Sequence, residues 1–157
     1  MRTVSSLVIL TLLTPLCVGC KKGGGAAGGG PQTHEACVQS AVTSLKNAAA
    51  AFNGVTDAKS AEQAVTIVQQ ETQNLRSYRD RLVALGKPSS AQKAKANKHT
   101  SDAVGAAQAM TRAVSEINSR IQAKRFAPEL ANRLTAAVQG LGQAMVDFGE
   151  QTKPLGE

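Results

Sequence analysis

Residues 60–88 read SAEQAVTIVQQETQNLRSYRDRLVALGKP. The positions Ala61, Val65, Val68, Thr72, Leu75, Tyr78, Leu82 and Leu85 recur in steps of three and four. That spacing lines up one face of an α-helix. Ser60 and Gln63 have the spacing of a capping box, which satisfies the first backbone N–H groups. Gly86-Lys87-Pro88 supplies the stop, because Gly tolerates positive φ and Pro lacks an N–H.

The same rhythm extends outward on both sides. Upstream, Val38, Ala41, Leu45, Ala48, Phe52 and Val55 form a first stripe, with Gly54 as the helix stop. Downstream, Ser89 and Gln92 form a second capping-box pair, ahead of the stripe Val104, Ala107, Met110, Val114, Ile117 and Ile121. Pro128 suits the first position of a last helix, whose stripe is Leu130, Leu134, Ala137, Leu141, Ala144 and Phe148. The reading is all-α: an antiparallel up-down four-helix bundle with helices near 34–53, 60–85, 90–125 and 128–151. Short links make successive helices antiparallel neighbours. The third helix, at 36 residues, is about 54 Å long and outruns its partners. Its excess lies in residues 89–99, which have almost no large apolar side chain and are expected to overhang or fray.

Composition agrees. In 157 residues there are 26 Ala, no Trp, one Tyr and three Phe. Ala is the best helix former, whereas β-sheet folds favour aromatic and β-branched residues. Scarce aromatics also argue against binding single-stranded nucleic acid by stacking.

The two ends differ from this centre. Residues 21–32 contain six Gly and read as a flexible coil of about 20 Å mean span. A phosphate-cradling loop needs a preceding strand and a following Lys-Ser/Thr pair, and neither is present. Ahead of it, Arg2 precedes a mostly apolar run at residues 7–16, then the small residues Val18 and Gly19, then Cys20. A charge, a short apolar run and small residues make an export signal, too short for the about 20 residues that span a bilayer.

Leu16-Cys17-Val18-Gly19-Cys20 resembles the lipobox of bacterial lipoproteins, with Cys17 where that family prefers Leu. The resemblance implies cleavage before Cys20, a diacylglyceryl thioether on its sulfur and acylation of the new amino terminus. Lys21 stands where the family's inner-membrane retention signal commonly has Asp, which implies the outer membrane, facing the periplasm. Several acyl chains on one residue make a stable anchor. The stretches at 57–64, 85–88 and 125–130 also resemble helical domains of envelope lipoproteins. The expected organisation is a signal peptide at 1–19, a lipidated Cys20 with linker to 32, a helical domain at 33–152 and a tail at 153–157.

Charge is concentrated. Residues 20–157 hold 17 basic and 11 acidic side chains, a net +6. Arg76, Arg79, Arg81, Lys87, Lys93, Lys95 and Lys98, opposed by Asp80 alone, account for the whole excess. In an up-down bundle this stretch falls at the tethered pole, where anionic headgroups attract Lys and Arg by about 1 kcal/mol each. Export argues against nucleic acid as the partner.

Chemistry-bearing residues are sparse. His34, Glu35, Cys37 and His99 invite a metal reading, but a structural zinc site needs four convergent ligands and no second cluster of comparable strength exists. The two histidines are expected at the surface. Removing Cys17 and acylating Cys20 leaves Cys37 as the one thiol of the mature chain. No Cys-x-x-Cys-His is present for covalent haem, and a His34–Met145 haem pair is weaker than a core role for the methionine. Glu71, Asp102 and Glu116 are expected to be solvated helix charges. No cofactor beyond the lipid on Cys20 and no catalysis is expected. The function expected is that of a membrane-anchored structural or protein-interaction module in the envelope. The alternative is a polyanion- or anionic-lipid-binding module using residues 76–98.

Overall fold

The computed structural model describes residues 32–156. The expected signal peptide, Cys20 and nearly all of the linker lie outside the described residues. The chain is all-helical there, in five helices: α1 (His34–Asn53), α2 (Ala58–Leu85), α3 (Ser90–Asn97), α4 (Thr100–Gln122) and α5 (Pro128–Gly156).

Local chemistry sets each boundary. Thr33 caps α1, its Oγ1 accepting from the Ala36 N–H at 3.1 Å. Asp57, not Ser60, caps α2: its carboxylate accepts from the Ser60 N–H at 2.7 Å, and the Ser60 hydroxyl oxygen accepts from the Asp57 N–H at 3.0 Å. The helix therefore starts at Ala58, before the expected residue 60. Gly86 ends it at φ +68°, where a Cβ is strained. Ser89 and Gln92 make the reciprocal capping box of α3. Pro128 is the first residue of α5, where its missing N–H costs nothing.

The single helix expected at 90–125 is corrected to two. It breaks at Lys98 and His99 and stops at Gln122, with Lys124 at φ 52°. The reason is packing across the bundle's end. The α3 segment does not overhang; its Ala96 is buried with Val38 of α1 and Leu155 of α5. One methyl allows that close approach. The expected helix end at 151 is also corrected, since α5 runs to Gly156 with Leu155 buried.

Four long helices surround one core. Its largest fully buried side chains include Phe52, Leu75, Met110, Ile117, Leu134 and Leu141. Neighbours differ from those a simple up-down ring gives: α1 packs along α2 and α4, and α2 packs along α5. Side-chain links fix the directions. His34 meets Gly86, His99 meets Glu35 and Gln39, and Leu155 meets Val38. These place the starts of α1 and α4 and the ends of α2 and α5 at one pole, here the near pole. Arg120 donates to the Val55 carbonyl and Arg133 faces Glu62 at 3.9 Å, which defines the far pole. Hence α1 runs parallel to α4, and α2 parallel to α5. The α2–α4 connection crosses the near pole diagonally, and α3 is that crossing.

Candidate functional site: a basic pole and an open apolar seam

The seven cations singled out by sequence do not form one patch. Arg76 is exposed on the outer face of α2, about 14 Å along the axis from that helix's end. With Asp80 and Arg81 it edges a shallow depression. Arg79 is half-buried and neutralised, meeting Asp80 at 2.6 Å and Asp147 of α5 at 3.4 Å. These carboxylates, Asp80 foremost, push the guanidinium pKa up. Arg81 is half-buried, with its charge near Cys37. Lys87 lies exposed in the link after α2. Lys93, half-buried, and Lys95, exposed, stand on α3 over the near pole, and the exposed Lys98 caps its end. The lysines share the pole; the arginines lie along the side of α2.

The expectation of surface histidines fails at His34, which is 3 % exposed. Its Nε2–H donates to the Gly86 carbonyl at 3.0 Å, and Nδ1 is buried without a partner. It pins the start of α1 to the end of α2. His99 is half-buried beside Glu35 at 3.3 Å and Gln39 at 2.9 Å. Glu71 is likewise buried rather than solvated, accepting from the side-chain amides of Asn47 and Asn74, both at 2.9 Å. Asp102 is exposed, and Glu116 is exposed and pairs with Arg120 of its own helix. Cys37 is fully buried three residues after His34, and burial pushes its thiol pKa up while Arg81 opposes. Among the described residues, no group of three or more His, Cys, Asp and Glu side chains is arranged to hold a metal ion. Met145 sits ten residues before Leu155, about 15 Å up α5, so the structure does not bring it to His34 at the pole.

The feature that the sequence left unread is the seam between α4 and α5. These two helices approach closely at only a few points, fewer than the other adjacent long pairs. The apolar stripe of α4 is wider than one contact face. Ala106, Met110, Ala113 and Ile117 are buried, while Val104 stays 51 % exposed and Ala107 half-exposed. On α5, Val146 is 60 % exposed. Two cavities follow one another along the seam. The first, about 350 Å³, lies at the near pole among Val38, Ala96, Val104, Phe148 and Leu155. The second, about 290 Å³, lies among Met110, Val114, Val138, Gly142 and Met145. Both linings are predominantly apolar, as in ligand sites of the smaller class, about 300 Å³. Val146 was the available signal in the sequence, a large apolar residue outside the expected stripe of its helix.

Comparison with protein-family models, curated proteins and solved structures finds no match.

Proposed function

We propose that this protein is a lipid-anchored helical module of a bacterial envelope that works against a membrane surface, without catalysis of its own. The reading starts from the lipobox-like residues 16–20, with Cys20 as the attachment site and residues 21–32 as the link to the domain. No helix among the described residues is long and apolar enough to cross a membrane. The observation that carries the reading is the near pole. The chain reaches the domain there at Thr33, and α3 and its cap lay Lys93, Lys95 and Lys98 over the same pole with no acid in the helix. Lys87 adds a fourth cation. An anchor at this pole keeps those cations within about 20 Å of the bilayer on average, close enough to swing onto anionic headgroups, whose attraction acts within a Debye length of about 8 Å in physiological salt. The outer membrane, facing the periplasm, is the location this reading favours. A protein partner in the envelope is the alternative use of the same module.

Two tests separate the parts. Cys20→Ala is expected to abolish palmitate labelling and release the protein from membranes in high salt; retention there sinks the anchor. The full chain carrying Cys20→Ala is expected to bind vesicles containing phosphatidylglycerol, but not pure phosphatidylcholine, and to leave them as salt rises. Equal binding to both, or indifference to salt, sinks the basic-pole reading.

A further inference from the structure

We propose that the α4–α5 seam binds a single-chain anionic amphiphile of the envelope membrane, its acyl chain between the helices and its head at the α3 lysines. The proposal goes beyond the anchoring role and does not require lipid on Cys20.

Length, lining and charge agree on this occupant. From Thr100 to Val114 the seam runs fourteen residues, about 21 Å. One leaflet's hydrocarbon is half of a core about 30 Å thick, so a single extended chain fits the run. The two cavities lie in line along the seam rather than side by side, as a single chain requires. A docked helix is about 10–12 Å across and needs a broad trough instead. The walls offer Val104, Met110, Val114, Met145 and Phe148 along the chain. At the near pole the lining changes: Asn97 and Thr100 bring polar groups, and Ala96 belongs to the helix that carries Lys93 and Lys95 and is capped by Lys98. Two acids stand near them, Asp102 in the first turn of α4 and Glu35 beside His99, against the three lysines, so positive charge prevails. An anionic head is attracted to this end, while the far cavity is lined mainly by apolar side chains, with Thr111 its one polar residue.

Methionine makes the seam readable, because Met110 and Met145 both line the second cavity and Met1 is the only other methionine. The full chain with Cys20→Ala is labelled at its methionine methyl groups and titrated with 12-doxyl-stearate, followed by NMR. Saturable broadening of the Met110 and Met145 signals, with Met1 unaffected, is expected. Gly142 lines the second cavity and a Cβ there meets nothing within 4 Å, so Gly142→Leu sets a bulky side chain at the cavity wall without a clash, and it improves helix propensity. It should abolish the broadening while circular dichroism stays as helical as before. Replacing Lys93, Lys95 and Lys98 with Gln should weaken binding about fivefold, as three exposed ion pairs allow. It should leave the methyl ester of the probe unaffected. Broadening that never saturates, reaches Met1 equally or ignores Gly142→Leu overturns the proposal. So does an acylated wild-type chain whose Met110 and Met145 signals are already shifted and closed to the probe, which assigns the seam to the protein's own lipid.

Discussion

Cys37 is sealed inside the near pole, and burial raises its thiol pKa. The thiolate is the reactive form, so native Cys37 should react with a disulfide reagent at neutral pH far more slowly than in denaturant. A native rate equal to the denatured rate refutes this. The same shift sets a pH dependence. The folded thiol holds its proton to higher pH than the unfolded one, so its contribution is intact below the ordinary value of about 8.5. It is lost as pH rises through the folded pKa. Phe52, fully buried at the far end of α1, makes a larger test. Phe52→Ala should cost about 3–5 kcal/mol in denaturant unfolding; a loss under about 1 kcal/mol contradicts its place in a close-packed core. Residues of this kind were legible, because apolar spacing alone identifies them. His34 and Glu71 were not, because their burial depends on partners 52 and 24 residues away, Gly86 and Asn47.

Helix α3 has eight residues and a single buried one, Ala96. An isolated helix that short is not stable in water, so its cap and its seat on the pole carry it. Ser89→Ala removes the acceptor for the Gln92 N–H at 3.3 Å, at a cost of about 1 kcal/mol. The expected outcome is local: amide exchange within α3 should quicken about fivefold, while exchange in α2 and α5 is unchanged. Unchanged exchange in α3 defeats the argument. The cap itself was visible as a sequence pattern, and so was the lack of large apolar residues in 89–99. The break was not, since Lys98 and His99 include neither Gly nor Pro and both keep negative φ. The break accompanies the seat of Ala96 on Val38 and Leu155, a tertiary contact that no local signal encodes. The same limit hid the seam. The stripe of α4 announces an apolar face, but not that the buried side of that face stops short of Val104.

At the scale of the molecule, periodicity says which face of each helix is apolar, and not which helix will meet it. Short links predict that successive helices pack as antiparallel neighbours; α1 and α2 do, but α1 also packs along the parallel α4, and α2 along the parallel α5. The segment from Gly86 to His99 is long enough to cross the near pole, and it carries α4 past α2 to the side of α1. This sets α2 and α5 parallel and adjacent, where a simple up-down ring places them on a diagonal. The crossing also matters for the proposed binding, since it brings Ala96 and Asn97 of α3 into the wall of the near-pole cavity. The surface pair Glu62 and Arg133, 3.9 Å apart and both exposed, tests the arrangement. An exposed ion pair contributes no more than about 1 kcal/mol, so Glu62→Cys with Arg133→Cys should fold normally, and the buried Cys37 should not compete for reagent. A short bis-maleimide is expected to link the two positions within one chain, seen as an intact cross-linked peptide pair by mass spectrometry. If the two cysteines stay unlinked while both take up monofunctional maleimide, α5 does not lie along α2, and the diagonal crossing falls with it.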